Sequence, residues 1–262
     1  MRDAFDPEWL SLSEPLDAAA RSVALAARIA AMLPARPRLL DLGAGTGSMV
    51  RWLAPRLGRA QAWLLVNPDI ALLTEAFGRT ATWAERRGWT VTWPGRAMLI
   101  HTPAGAWRIE GFAIDLETAP AALRFDDVDA VVCSGLLGLV SRAWLDRLVA
   151  ALRSPFLASL VPNGRDAWLP RHAADRLIGL GFRRAHAIDQ GFGASLGANA
   201  MRAAMRALEA GGFSVASAPS EWRVPAGALA MTRRLVWDAA DAARVALPWR
   251  GQAIAELSLI HI

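Results

Sequence analysis

Leu39-Leu40-Asp41-Leu42-Gly43-Ala44-Gly45-Thr46-Gly47 is the stretch on which the fold turns. The apolar run 38–42 stops abruptly at glycine and reads as a buried strand. Residues 48–57 follow with helical spacing, and Pro55 marks where that helix bends or ends. Between them, Gly43, Gly45 and Gly47 let the chain turn sharply and approach a ligand that a Cβ would block. The helix that follows presents unpaired N–H groups. A G-x-G-x-x-G loop brings a pyrophosphate onto such groups. Here the spacing is G-x-G-x-G, and the strand carries an acid near its end, Asp41. A carboxylate there repels pyrophosphate and favours an ammonium or sulfonium ligand.

Outward from this loop, strands and helices alternate. Upstream, 16–33 is alanine-rich with helical spacing and ends before Pro34. Downstream, 61–66 reads as a second buried strand. Asn67-Pro68-Asp69 then starts a long helix over 69–87, a turn followed by an acid at the positive end of the helix. The pattern changes at 89–93, 97–102 and 107–116, β-like runs separated by Pro94-Gly95 and Pro103-Ala104-Gly105. These predict two or three antiparallel strands, the last continuing into a core strand. A strand over 128–133, a helix over 142–152 and a strand over 156–161 follow. The stretch 163–194 is irregular, with a helix around 172–180. A helix over 198–210 is closed by Gly211-Gly212. Then come a strand over 213–217 and a last helix over 232–246. Such alternation points to an α/β fold, a doubly wound, mostly parallel sheet covered on both faces.

Composition sets the bounds. The 262 residues are 54% hydrophobic and 20% charged, which fits one large domain with an ample core and excludes a disordered chain. A single cysteine, Cys133, excludes a disulfide framework and a multi-cysteine zinc site, and there is no H-E-x-x-H. No metal is expected. All 29 basic residues are arginine, so a P-loop lysine is absent as well. The net charge of +5 is spread among acids, and charge alone does not indicate nucleic-acid binding. The first residues carry acids where a signal peptide needs a basic start, and the longest uncharged apolar stretch, 130–140, is too short to span a bilayer. A cytoplasmic protein without a membrane partner is expected.

The last six residues, Leu257-Ser258-Leu259-Ile260-His261-Ile262, match the translation of CTGTCTCTTATACACATC, part of a common sequencing-library transposon end. They are read as a non-native tail, and His261 is left out of the candidate site. The expected organisation is therefore one domain over 1–256. It holds an N-terminal helical segment at 1–36, a β insertion at 88–110 and a substrate-side lid at 163–195.

The segment Asp41 to Gly47, in its strand–loop–helix setting, resembles motif I of the class I S-adenosylmethionine-dependent methyltransferases, and the order of elements over 38–213 is similar to theirs. The resemblance implies the Rossmann-like methyltransferase fold and S-adenosyl-L-methionine as cofactor. By position, Gly43, Ala44, Gly45 and Gly47 would pass beneath the methionine and ribose parts, and Asp41 would orient the amino end. The ribose acid of the family falls at Asn67, with Asp69 two residues on; Asp69 reads equally as a ligand or as a helix cap. Asp115 and Leu116 resemble the acid and apolar pair that reads adenine. Ser134 and Gly135, after the fourth core strand, would line the cofactor, whereas Cys133 reads as a small buried residue. The family's sheet usually ends in an antiparallel hairpin of sixth and seventh strands. The sixth is expected at 213–217, and no seventh is found.

Methyl transfer from a sulfonium needs positioning and desolvation more than it needs a catalytic group. Candidates for a base lie after the fifth core strand: Asp166 and His172, with Trp168, His186, Asp189 and Gln190 nearby. Trp89, Val91 and Trp93 share one face of a strand, more often a core face than the wall of an aromatic pocket. No Asp/Asn-Pro-Pro-aromatic motif follows the fourth strand, and a small-molecule acceptor is expected. The alternatives are a non-catalytic cofactor-binding or assembly protein, an RNA or protein methyltransferase, and a nicotinamide oxidoreductase, the last disfavoured by the loop spacing.

Overall fold

The computed structural model describes residues 7–165, 167–168, 171 and 175–246. Its centre is a seven-stranded sheet. The strands are β1 (Arg38–Leu42), β2 (Gln61–Asn67), β3 (Thr90–Thr92), β4 (Met98–Thr102), β5 (Gly105–Ala113), β6 (Ala130–Ser134) and β7 (Phe156–Ser159). They lie in the order β3-β4-β5-β2-β1-β6-β7. From β5 to β7 every pairing is parallel, while β3, β4 and β5 form an antiparallel meander at one edge. Counting only the parallel strands along the chain, the order is third-second-first-fourth-fifth, the doubly wound arrangement. The order reverses between β1 and β6, and ligands of such sheets bind outside the carboxyl ends of the strands at that reversal.

Residues on β1 alternate faces with a period of two. Leu39 joins a core with Trp63, Leu65, Ile109 and Val132, and Leu40 and Leu42 join a second core with Val66, Val131 and Cys133. The first core is covered by α2 (Val23–Met32), α3 (Ser48–Leu57) and α4 (Ile70–Glu85). The second is covered by α5 (Ala119–Ala122), α6 (Arg142–Ala151) and α8 (Ala200–Ala210). Asp41 has the parity of Leu39 and lies on the α2–α3 side.

The β insertion forms as expected and its tryptophans are structural. Trp89 meets Trp107 edge-on at 5.1 Å and Trp83 at 5.5 Å, and Trp107 is buried. These rings pin the meander to α4. Trp93 stays exposed beside Phe77.

Three expectations are corrected. The single helix expected over 16–33 is two, α1 (Pro7–Ala20) and α2, broken at Arg21-Ser22. Ser22 caps α2 by accepting from the Leu25 amide at 3.2 Å, while Arg21 turns its side chain into the body of the protein. The helix expected around 172–180 runs further than expected at its C-terminal end, as α7 (Asp175–Ala185), which packs on α9 (Leu229–Ala246). No strand forms at 213–217, and among the described residues β7 is the edge of the sheet. A strand exists by its ladder. Residues 213–217 pair with no neighbouring strand, and beyond them Trp222 is held by Asp17, donating its indole N–H at 3.0 Å. The tail 257–262 lies outside the described residues. No helix among the described residues is long and apolar enough to cross a membrane.

Candidate cofactor site at the sheet reversal

The loop after β1 has the conformation its glycines were read to permit. Gly43, Gly45 and Gly47 all have positive φ, at +72°, +52° and +80°. The amides of Gly43 and Ala44 both donate to the Val66 carbonyl, at 2.9 and 3.1 Å, which ties the loop to the end of β2. Gly47 is the N-cap of α3 and has no side chain to close that end, so the helix N-terminus opens toward the loop. A Cβ on Gly47 would come within 3.1 Å of Thr80 Oγ1 and 3.2 Å of Arg51. Glycine is required there by both conformation and space.

Asp41 is buried, and neither of its carboxylate oxygens has a hydrogen-bond partner. Burial pushes its pKa up from 3.8 to about 7, with the nearby Arg21 charge opposing the rise. An unpartnered buried carboxylate is costly unless something pairs with it. An ammonium group is the simplest partner. The observed geometry therefore fits the cofactor the family would bring, whose amino end would meet Asp41.

The remaining expected contacts divide. Asn67 is buried at the end of β2, and its Oδ1 accepts from the Asp69 amide at 2.9 Å. That leaves its NH2 end as the group able to meet a hydroxyl. Asp69 caps α4: its Oδ1 accepts from Ala71 at 2.7 Å and Leu72 at 3.3 Å. Asp115, just past β5, is exposed and accepts from the Glu117 amide at 2.9 Å. Leu116 is buried over the loop, with Cδ1 3.6 Å from the Cβ position of Gly43, and its carbonyl accepts from the Trp144 indole at 2.7 Å. Thus Asp41, Gly43, Ala44, Gly45, Gly47, Asn67, Asp69, Asp115, Leu116 and Ser134 all lie at or beyond the carboxyl ends of β1, β2, β5 and β6. Cys133 is buried and burial pushes its thiol up, so it packs rather than reacts.

Of the base candidates, Asp166 and His172 lie outside the described residues. His186, just past the end of α7, places Nδ1 2.9 Å from the Phe182 carbonyl of that helix. Asp189 anchors a loop by accepting from the amides of Gly191, Phe192 and Gly193 at 2.7–3.1 Å. Gln190 donates to the Ile188 carbonyl, and Trp168 lines a small cavity together with Ile178 and Val236. Within the expected lid, Phe192 meets Trp144 edge-on at 5.8 Å, and Ser195 Oγ donates to the Leu139 carbonyl.

The sequence reading missed the part played by the N-terminal helices. Arg21 is buried and crosses the reversal point, donating to Ser48 Oγ at 2.9 Å and to Ser134 Oγ at 2.9 Å. Arg51 grips Glu14 of α1 through two bonds of 2.8 and 2.6 Å, and donates to the Thr46 carbonyl within the loop. Leu10 of α1 lies 3.6 Å from the Cβ position of Gly45. Helix α1 therefore roofs the glycine loop. The signal was present in Glu14, Asp17 and Arg21, charged residues inside an alanine-rich apolar helix pattern.

The glycine loop after β1 and the strand order define a Rossmann-like, doubly wound fold of the kind found in class I methyltransferases. No family model matches the chain. Over 50 residues, 18% of its length, it is 56% identical to the biotin biosynthesis bifunctional protein BioCD of Bordetella avium, and the match spans 10% of that protein. It is similar to an O-methyltransferase family protein from Burkholderia thailandensis, at 15% identity over 82% of this chain and 55% of that one, with a TM-score of 0.48. It is also similar to an S-adenosylmethionine-dependent methyltransferase from Mesorhizobium loti, at 21% identity over 75% of this chain and 85% of that one, with a TM-score of 0.43. The doubly wound fold is read from the chain's own strand order and loop.

Proposed function

We propose that this chain is an S-adenosylmethionine-dependent methyltransferase acting on a small-molecule acceptor. The observation that carries the reading is Asp41: a buried, unpartnered carboxylate beneath three left-handed glycines at the reversal of a doubly wound sheet. When bound, the cofactor supplies an activated methyl group on a sulfonium, which leaves by in-line displacement. The chain's own residues do the positioning. Asp41 would hold the amino end, Asn67 and Asp69 the ribose side, and Asp115 with the Leu116 amide the adenine. Leu116 and Leu136, both buried against Gly43, exclude water from the loop. Placement and desolvation contribute the rate, and no protein base is required for an acceptor that is already a nucleophile. The dispersed charge supports a small acceptor over a nucleic acid. The lone buried cysteine supports a cytoplasmic setting.

The short, high-identity match to a protein of biotin biosynthesis favours an acceptor in that synthesis. Methyl transfer from isotopically labelled S-adenosylmethionine to intermediates of biotin synthesis tests the assignment, and no labelled product with any of them overturns it. The cofactor reading is tested separately by calorimetric titration with S-adenosylhomocysteine. Saturable binding weakened by Asp41→Ala supports it, and a folded chain that binds nothing overturns it.

A further inference from the structure

A polar cavity of about 30 Å³ lies beside the carboxyl end of β7, and neither Asp41 nor the glycine loop lines it. It is enclosed by Leu157 and Ser159 of β7, by Arg21 and Ser22 at the start of α2, by Trp52 of α3, and by Ser220 from the segment after α8. Among the described residues no acid lines it. The chain leaves β7 through Leu160 at φ +56°, strained for a residue with a side chain, and such strain gathers where a fold shapes a site.

The polar groups on its walls are donors. Among the described residues the Arg21 side chain bonds only to neutral oxygens: the Ser48 carbonyl at 3.3 Å, and the hydroxyls of Ser48 and Ser134 at 2.9 Å each. Its Nε has no partner, although the residue is only 3% exposed. Asp17 and Asp41 lie near enough to favour its charged form, but Asp17 accepts from Trp222 and the Asp41 carboxylate bonds to nothing. A buried guanidinium N–H without an acceptor is costly. Ser22 caps α2, and its Oγ accepts from the Leu25 amide, so the hydroxyl proton remains to be donated. The first-turn amides of α2 add the positive end of a helix. Ser220 is half-buried and brings a further hydroxyl.

The volume decides the class of anion. It is space for roughly two waters, which matches the two oxygens of a carboxylate and is too small for a tetrahedral phosphate or sulfate. We infer that this cavity is a carboxylate site, separate from the cofactor loop, in which a small organic acid is held by Arg21 Nε, Ser22 and Ser220 at the start of α2. A charged acceptor meets the unpaired guanidinium N–H there and makes a charge-assisted bond. The inference is independent of the cofactor reading, because the ligand, the walls and the strand end are different.

The test follows isotopically labelled acetate by the broadening of its NMR signal on addition of protein. Wild type is expected to bind acetate saturably in the millimolar range, which suits so small a ligand. Unlabelled phosphate is expected to displace it at least tenfold less effectively than unlabelled acetate. Ser220→Leu fills the cavity from its half-buried edge, and Ser159→Val serves as a second variant if the first does not fold. Either is expected to weaken acetate binding at least tenfold, while the calorimetric titration with S-adenosylhomocysteine changes by less than about twofold from wild type. A folded wild type that broadens no acetate signal overturns the inference and leaves water as the occupant. Acetate binding that survives in a folded cavity variant overturns it as well, because the acid then sits elsewhere. Displacement by phosphate as effective as by acetate overturns the choice of a carboxylate. Each of these results leaves the cofactor reading intact.

Discussion

Replacing Asp41 by asparagine should flatten the pH dependence of stability in the ligand-free protein. In the unfolded chain the carboxyl titrates near 3.8, and in the folded protein it titrates near 7 because it is buried without partners. The folded state therefore binds the proton more tightly than the unfolded state. The contribution to stability is fully present below pH 3.8 and is lost as the pH rises through about 7. At about 1.4 kcal/mol per pH unit the loss approaches roughly 4 kcal/mol, a large part of the ~5–15 kcal/mol that holds a typical domain together. Asp17, raised by its own burial to about 6, titrates in the same window. It is present in both proteins, so the difference between wild type and Asp41→Asn isolates Asp41. Urea unfolding across this range should show wild type gaining on the variant toward acid pH and losing to it toward alkaline pH. A constant difference between the two across the range would refute the reasoning, because it would mean that Asp41 titrates alike in the folded and unfolded chains.

Gly45→Ala should separate binding from folding: a left-handed alanine costs about 1–2 kcal/mol. Its Cβ would stand at an ordinary 3.6 Å from Leu10, so the protein should still fold while calorimetry shows at least a tenfold loss of S-adenosylhomocysteine affinity. Trp222→Phe removes the indole donor to Asp17 at 3.0 Å. The loss should be about 1–3 kcal/mol at pH 8 and smaller at pH 5, where Asp17 is protonated, as read by denaturant melts at the two pH values.

Much of the fold was legible because its signals are local. The run 38–42, the three glycines and the helix beyond them specify a strand–turn–helix whatever surrounds them, and the structure repeats those boundaries. The hairpin tryptophans were legible in part: Trp89 and Val91 pack against the core as alternation on one strand suggests, whereas Trp93, past the end of β3, is exposed. What escaped depends on distant partners. The break at Arg21-Ser22 is invisible in an alanine-rich helical pattern, because it exists to send Arg21 to Ser48 and Ser134, 27 and 113 residues away in the chain. The strand expected over 213–217 failed because an apolar segment becomes a strand only where a neighbour offers a ladder. Asp69 shows the ambiguity at its narrowest: it caps α4, and the same acid at the same position also reads as the proposed ribose ligand. The roof of α1 over the loop could be inferred only from charges placed inside an apolar helix, Glu14 and Asp17, whose partners are Arg51 and Trp222.

Calorimetric titration of the wild-type chain with S-adenosylhomocysteine, with NADH as the control, is the measurement that bears most directly on the central claim. Saturable binding of S-adenosylhomocysteine alone, weakened at least tenfold by Asp41→Ala, is the expected result. Binding of NADH instead, or of neither ligand by a chain shown by circular dichroism to be folded, would contradict it.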